Sequence, residues 1–387
     1  MPKELSIVRH IVPYFGVFNQ PLYCTFKALV LYFMESKEQT LTGASLKARK
    51  SISALSYFFN QGKWKSEDLL AKMQRIFLHR AEMRPRETDL LCLDGSSLIK
   101  NGKSFELQTW VWDNADKRTG KGYEFCAAAV VTKSGMKYLW DYLLYTKKEA
   151  DSEGKFQIWI RLIKKLAAST KAWLFVLDAG FRNQYFLAEI LKHKREFLIR
   201  LTPKMKLLLG ASKEIHLCKV RRGRPKIYQV GRDKIRIWEQ VGVVKAWKNE
   251  IEQTLRIVLV QRDGFRNPLI LCTSDLKSEA IEVYRNYQRR WRIEELFLES
   301  KEYFNLEGFR VRKLEAVHRY LCCIITVHNI LCIKLHKLQN LPSILKQLEQ
   351  ILKKYRKIPK LLLGSLKKLY EMLAPTLLDF SLHTALP

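Results

Sequence analysis

Tyr287, Arg290, Glu294 and Lys301 stand at successive spacings of three, four and seven residues. An α-helix turns about 100° per residue, so a helix here would gather all four within roughly 60° of one face. That face would carry a phenol, a guanidinium, a carboxylate and an ammonium in line. A single carboxylate among cations suits a task that needs negative charge, such as holding a metal ion. The cations and the ring suit a phosphate backbone and a base. A solvated helix face laced with ion pairs has the same pattern, and this segment alone does not separate the two readings.

Two further acids share a design. Asp94 closes the apolar run Asp89-Leu-Leu-Cys-Leu-Asp94, and Asp178 closes Ala172-Trp-Leu-Phe-Val-Leu-Asp178. A glycine follows each within two residues, at Gly95 and Gly180. Ligands gather at the carboxyl ends of strands in open α/β sheets, so two such acids could converge there, with Glu294 supplied from a helix against the sheet. Oxygen-only ligation suits magnesium or manganese. Two such ions about 4 Å apart can activate a water and stabilise a leaving oxygen in phosphodiester cleavage. A lone strand-end aspartate is more often a helix cap or turn residue; the joint pattern is the specific one.

The elements that must position these residues follow from periodicity. Residues 1–84 read as helical, with apolar positions recurring at three and four in Leu22–Phe33, Ile52–Phe59 and Leu69–Phe77. Ser66 before Glu67 and Asp68 marks a helix start. Strands are expected at Phe105–Trp112 and Tyr123–Val131, a helix at Lys155–Ala168, a helix near Asn183–Lys192 and a strand at Glu196–Leu201. This order gives an α/β fold, a mixed sheet with helices packed on it, over 85–201. Residues 202–274 break the alternation with short β-rich runs at Lys226–Val230, Ile235–Val244, Thr254–Val260 and Pro268–Cys272, and read as an insertion. The core resumes over 275–305 with one helix carrying Tyr287 to Lys301, and 306–387 is helical and basic, densest at Lys353–Lys357.

The chain has 387 residues, 47% hydrophobic, with a formal charge of +31 and a pI near 9.8. That composition is globular, and an excess of positive charge spread along the chain implies a polyanionic partner, with nucleic acid the commonest. The eight cysteines form no CxxC pair and read as reduced thiols, which argues against zinc. The first residues lack the layout of a signal peptide, and the apolar stretch Tyr320–Ile333 is too short to span a bilayer. A cytoplasmic protein with no membrane partner is therefore expected. No Walker loop or nucleotide fingerprint occurs, so ATP dependence is not indicated.

Further DNA-contact candidates lie elsewhere. Lys47, Arg49, Lys50, Ser51 and Ser53 head a helical segment and could meet phosphates or base edges, or form an ordinary basic helix end. Arg222 and Arg224 sit in Arg221-Arg-Gly-Arg-Pro-Lys226, which reads equally as an AT-hook-like minor-groove element or as a basic turn. Trp238, Trp247 and Phe265 also lie in the insertion, and core packing is the better reading for each.

The spacing Tyr-x2-Arg-x3-Glu-x6-Lys resembles the signature of DDE transposases of the bacterial insertion-sequence-four superfamily, with Trp291 and Ile293 also as in that family. The resemblance takes in Asp178-Ala-Gly-Phe181, Phe197–Leu201 and Asn305-Leu-Glu-Gly-Phe-Arg-Val-Arg312, and covers roughly 88–330. It departs at Ala179, where an arginine is common, and Asp94-Gly-Ser-Ser97 is a loose match. The resemblance implies an RNase H-like core with Asp94, Asp178 and Glu294 as a catalytic triad holding Mg2+ or Mn2+, as two ions, and a β-rich insertion where related transposases carry one. It implies cut-and-paste transposition: hydrolysis at a transposon end, a possible hairpin intermediate, and joining to target DNA. Arg290 and Lys301 would position phosphates, and Tyr287 would contact the distorted strand. Double-stranded DNA at terminal inverted repeats and at the target is the implied partner, with a homodimer in the synaptic complex. An RNase H-like nuclease without strand transfer and a non-catalytic DNA-binding derivative are the alternatives.

Overall fold

The computed structural model describes residues 8–35, 40–81, 83–100, 102, 104–113, 117–202, 206–208, 214–216, 223–231, 233–244 and 253–339. The chain divides into two units. One comprises the described residues of Met1–Arg84, Lys100–Gln108 and Leu296–Pro387; the other spans Pro85–Ile99 and Thr109–Glu295.

The first unit is helical. Its N-terminal helices are α1 (Gln20–Glu35), α2 (Leu41–Ala48), α3 (Ile52–Asn60) and α4 (Ser66–Leu78). The side chains of Thr40 and Ser51 cap α2 and α3 by accepting from the amides of Gly43 and Ala54 at 3.0 and 3.1 Å. Ser66 is the first residue of α4 rather than its cap, which is Lys65. Glu67 and Asp68 follow in the first turn, where the helix dipole favours them. The periodicity reading missed α2.

The long C-terminal helix of the same unit, Leu314–Gln339, packs against α1, α3 and α4. Over Leu314–Ile333 it is long and apolar enough, by length and composition, to cross a membrane, and it is nearly all buried here. Arg319 enters this core and satisfies its charge on the carbonyls of Phe59 and Trp64 at 2.8 and 2.7 Å. His328, buried further along the same helix, pairs with Glu299 at 3.2 Å. The Lys353–Lys357 run lies outside the described residues.

The second unit is a mixed α/β layer structure. Its main sheet contains β1 (Leu90–Ile99), β2 (Thr109–Asp113), β3 (Arg118–Val131), β4 (Lys137–Tyr145), β5 (Leu174–Leu177) and β6 (Glu196–Leu201), then β9 (Lys226–Val230), β10 (Asp233–Val244), β11 (Gln253–Arg262) and β12 (Leu269–Thr273). The order is β2-β3-β1-β5-β6-β12-β11-β10-β9, with β4 also on β3. β1, β5 and β6 run parallel to one another, and the other pairings are antiparallel. The short β7 (Lys206–Leu208) and β8 (Glu214–His216) pair only with each other among the described residues.

Helices α5 (Lys155–Ser169), α6 (Gln184–Lys192) and α7 (Ala280–Arg289) belong to this unit, and α8 (Trp291–Glu302) begins in it. α5 buries one stripe, including Ile158, Trp159, Leu162, Ile163 and Leu166, and packs against α6. α6 makes the crossover between the parallel strands β5 and β6.

Three differences from the sequence reading have physical causes. β1 does not stop at Asp94: its pairing with β5 ends at Leu93, but its antiparallel pairing with β3 continues to Ile99. The β-rich strands of 226–273 join the main sheet, since β12 pairs with β6 and extends it. The single helix over Tyr287–Lys301 is two helices, α7 and α8, which meet at Arg290. The backbone there keeps right-handed helical torsions, φ −54° and ψ −34°, while the amides of Arg290 and Ile293 bond three residues back instead of four.

Candidate active site

The register of two strands brings the aspartates together. Leu93 of β1 pairs with Leu177 of β5 in parallel. Asp94 and Asp178 are the next residues on adjacent strands, which lie about 4.8 Å apart. Asp94 is held by the amide of Gly95, which donates to its carboxylate at 2.8 Å. Beyond Asp178 the chain turns through Ala179–Phe181, and the buried Phe181 ring lies 4.3 Å from the Trp159 ring of α5. That contact pins the turn that starts at Asp178.

Glu294 reaches the same place through the α7–α8 junction. Two side chains flanking the junction anchor it: Arg289 donates to the Val131 carbonyl at the end of β3 at 3.1 Å, and Glu295 takes Lys137 of β4 and Arg292 at 2.8 Å each. With the junction fixed, Arg290 lies between the acids. Its guanidinium donates to Asp94 at 3.2 Å and to Glu294 by a shorter contact. Its centre is 5.6 Å from the ring of Tyr287, whose hydroxyl donates to Asp178 at 3.4 Å. Tyr287, Arg290, Asp94, Asp178 and Glu294 therefore form one connected group.

Burial decides the electrostatics. Arg290 is 8% exposed, and its Nε is buried with no hydrogen-bond partner. Burial pushes the Asp94 carboxyl up to about 6; Arg290 and the Gly95 amide pull it down, and Glu294 and Asp178 push it further up. Burial opposes the Arg290 charge, yet Tyr287, Asp94 and Glu294 outweigh it and hold the guanidinium more firmly protonated than usual. The Tyr287 hydroxyl is raised, chiefly by burial.

The other sequence-selected residues lie elsewhere. Lys301 belongs to the helical unit, where it pairs with Glu307 at 2.7 Å. Arg224 is exposed ahead of β9. The preceding Gly223 has φ +89°, a torsion that favours glycine, and its carbonyl accepts from Trp238 at 3.3 Å. Arg222 and Trp247 lie outside the described residues. Phe265 is exposed at the β11–β12 turn, with Arg262 over its ring at 4.5 Å. Sequence reasoning passed over the anchors Arg289, Glu295 and Lys137, because ordinary charges on a helix face give no signal of what they reach.

A family model described as the transposase DDE domain matches residues 85–330, a span that holds every member of the connected group. The chain belongs to this family. No curated protein matches it.

The transposase DDE family works on DNA and generally depends on divalent metal ions. Among the described residues, no group of three or more His, Cys, Asp or Glu side chains is placed to hold a metal ion. The guanidinium of Arg290 stands between two of the carboxylates instead. In kind, the donors fit a hard divalent cation: all are carboxylate oxygens, and Glu294 and Asp178 raise the proton affinity of Asp94, which a cation among them would relieve.

A pH dependence follows. The raised Asp94 carboxyl contributes to folding fully below its ordinary value of 3.8, and that contribution is lost as pH rises through about 6. An ion that binds the carboxylate must displace the proton below that point. Mn2+ affinity is expected to rise about tenfold per pH unit up to about pH 6 and then level off. Titration calorimetry in buffers of different ionisation enthalpy would register the released proton, and Asp94→Asn should remove the slope. A flat profile in the wild type would rule Asp94 out as a ligand that titrates there.

Proposed function

We propose that the protein is a cut-and-paste DNA transposase of the insertion-sequence-four superfamily, with Asp94, Asp178 and Glu294 as its catalytic acids. The observation that carries this reading is the parallel register at Leu93 and Leu177, which sets Asp94 beside Asp178, together with the Arg290 contacts that bring Glu294 to them. The strand series β4-β3-β1-β5-β6, three antiparallel strands followed by two parallel ones, supports an RNase H-like core. On this reading 85–201 and 275–305 form that core, 202–274 interrupts it, and 1–84 and 306–387 are DNA-binding regions.

The acids would hold Mg2+ or Mn2+, as two ions, which when bound activate a water and stabilise the leaving oxygen. The chain's own groups do the rest. The three carboxylates set the place where the phosphodiester must lie. Arg290, with five fixed donors, is suited to grip a phosphate once its carboxylate partners are otherwise neutralised. Tyr287 holds Asp178 and offers its ring to the strand. Water attacks phosphorus, the bridging P–O bond breaks, and a 3′-hydroxyl leaves; that hydroxyl then attacks a target phosphodiester, directly or after a hairpin step. Arg222, Arg224 and Lys301 would contact DNA outside this point. Two ends act together, which calls for a homodimer in the synaptic complex.

The test supplies Mg2+ with DNA carrying the inverted repeats that flank this gene, then pre-cut ends with target DNA. Nicked ends and joined products are expected. Nicking without joining would favour a nuclease, and binding without nicking a DNA-binding derivative.

A further inference from the structure

We propose that Trp110 and Trp112, with Lys121, form a stacking platform for unpaired bases of a DNA strand at the β2–β3 hairpin. This rests on the DNA reading above and adds a contact surface to it. Both tryptophans sit on β2, 58% and 52% exposed, although indole is among the side chains that gain most from burial. They are two residues apart on a strand and so share one face. Their cross-strand partners are Lys121 and Thr119, and the Lys121 ammonium lies 5.8 Å from the Trp110 ring.

The opposite face of the hairpin is packed. Val111 is buried there, and a Cβ added to its partner Gly120 would come within 2.7 Å of the Ile99 side chain. Ser97 donates to the Trp112 carbonyl at 2.8 Å, and the Lys147 amide donates to Thr109 at 3.1 Å. The hairpin is thereby held with its indoles outward.

Register ties this face to the acids. Asp94 pairs with Ala127 and Leu98 with Tyr123. Side chains of paired residues share a face and alternate along a strand, so Asp94, Ala127, Tyr123, Lys121, Trp110 and Trp112 all belong to one face. Between Asp94 and the hairpin that face is covered, with Ala127, Phe125 and Tyr123 buried, and it opens at Lys121.

The occupant follows from charge and chemistry. Lys117, Arg118 and Lys121 are all exposed on this hairpin, and the whole chain carries +31. A cationic surface with two flat rings matches a polyanion with flat bases. In a duplex the base faces are stacked and out of reach, so the rings call for unpaired bases.

The measurement is fluorescence anisotropy with a labelled oligothymidylate of about 20 nucleotides, an abasic oligonucleotide of equal length, and a duplex. The wild type should prefer the base-bearing strand to the abasic one. In W110A/W112A, affinity for the oligothymidylate should fall about 5- to 100-fold, with duplex binding changed less than about threefold. W110F/W112F should retain most of the preference, which a packing role for indole would not predict. Equal binding of the base-bearing strand by wild type and the alanine variant overturns the platform and leaves the DNA reading intact. No preference for bases in the wild type also overturns it, as does a changed oligomeric state in the variants, which would mark the face as a protein interface. A wild type that binds no DNA sinks both.

Discussion

Glu294→Gln is expected to abolish end nicking, a fall of at least about 10³-fold, or ~4 kcal/mol of transition-state stabilisation, while leaving fold and DNA binding in place. The substitution is nearly isosteric. Glutamine keeps an oxygen that can accept from Arg290, so the α7–α8 junction retains that contact. Its amide nitrogen has access to water, because the Glu294 side chain is 31% exposed. What disappears is one negative charge among three acids. A divalent cation feels that loss directly, whereas a DNA phosphate does not depend on it. Removing a negative charge should if anything strengthen DNA binding, most visibly at low salt. The checks are a nicking assay on repeat-bearing DNA, a mobility-shift titration, and thermal melting. Cleavage lost with binding and melting preserved supports Glu294 as a catalytic acid. Joint loss of all three would make it a structural residue and remove the basis for the triad.

The parts of this site that the sequence revealed were those governed by local pattern. Four apolar residues before Asp178 form a buried strand, and the structure ends β5 at Leu177. The spacing of Tyr287, Arg290 and Glu294 placed three side chains on one side of the chain, and those three are in contact. What was hidden depends on partners distant in sequence. Nothing around Asp94 says that β3 keeps pairing with β1 as far as Ile99 after β5 has ended. Nothing in 253–273 says that β12 would find β6 rather than close a module of its own. The break at Arg290 lacks the usual breakers: no proline or glycine stands there, and the residue remains helical in its torsions. It is visible as a change in hydrogen bonding, with Arg289 and Glu295 drawn to β3 and β4 on either side. The exposed indoles of β2 escaped for a related reason, since alternation predicts which residues share a face and leaves open which face is covered.

Arg290→Ala is the variant that separates two roles for the central guanidinium. If Arg290 neutralises the acids, its removal leaves Asp94, Glu294 and Asp178 repelling one another around a buried position. Breaking a buried pair costs several kcal/mol, and partial exposure of the carboxylates reduces that here to about 1–3 kcal/mol at neutral pH. The deficit should shrink at pH 5, where Asp94 accepts a proton and needs no counter-charge. Mn2+ should recover much of the lost melting temperature, and by electron paramagnetic resonance it should bind the variant more tightly than the wild type, because no guanidinium competes for the carboxylates. Nicking should still fall by about 100-fold or more, since alanine supplies no donors to a phosphate. Arg290→Lys keeps the charge without the fork, so it should melt nearer the wild type and nick poorly. Weaker Mn2+ binding in Arg290→Ala would reverse the assignment: the guanidinium would then be the brace that holds Asp94 and Glu294 in place for the ion, and its loss would scatter them.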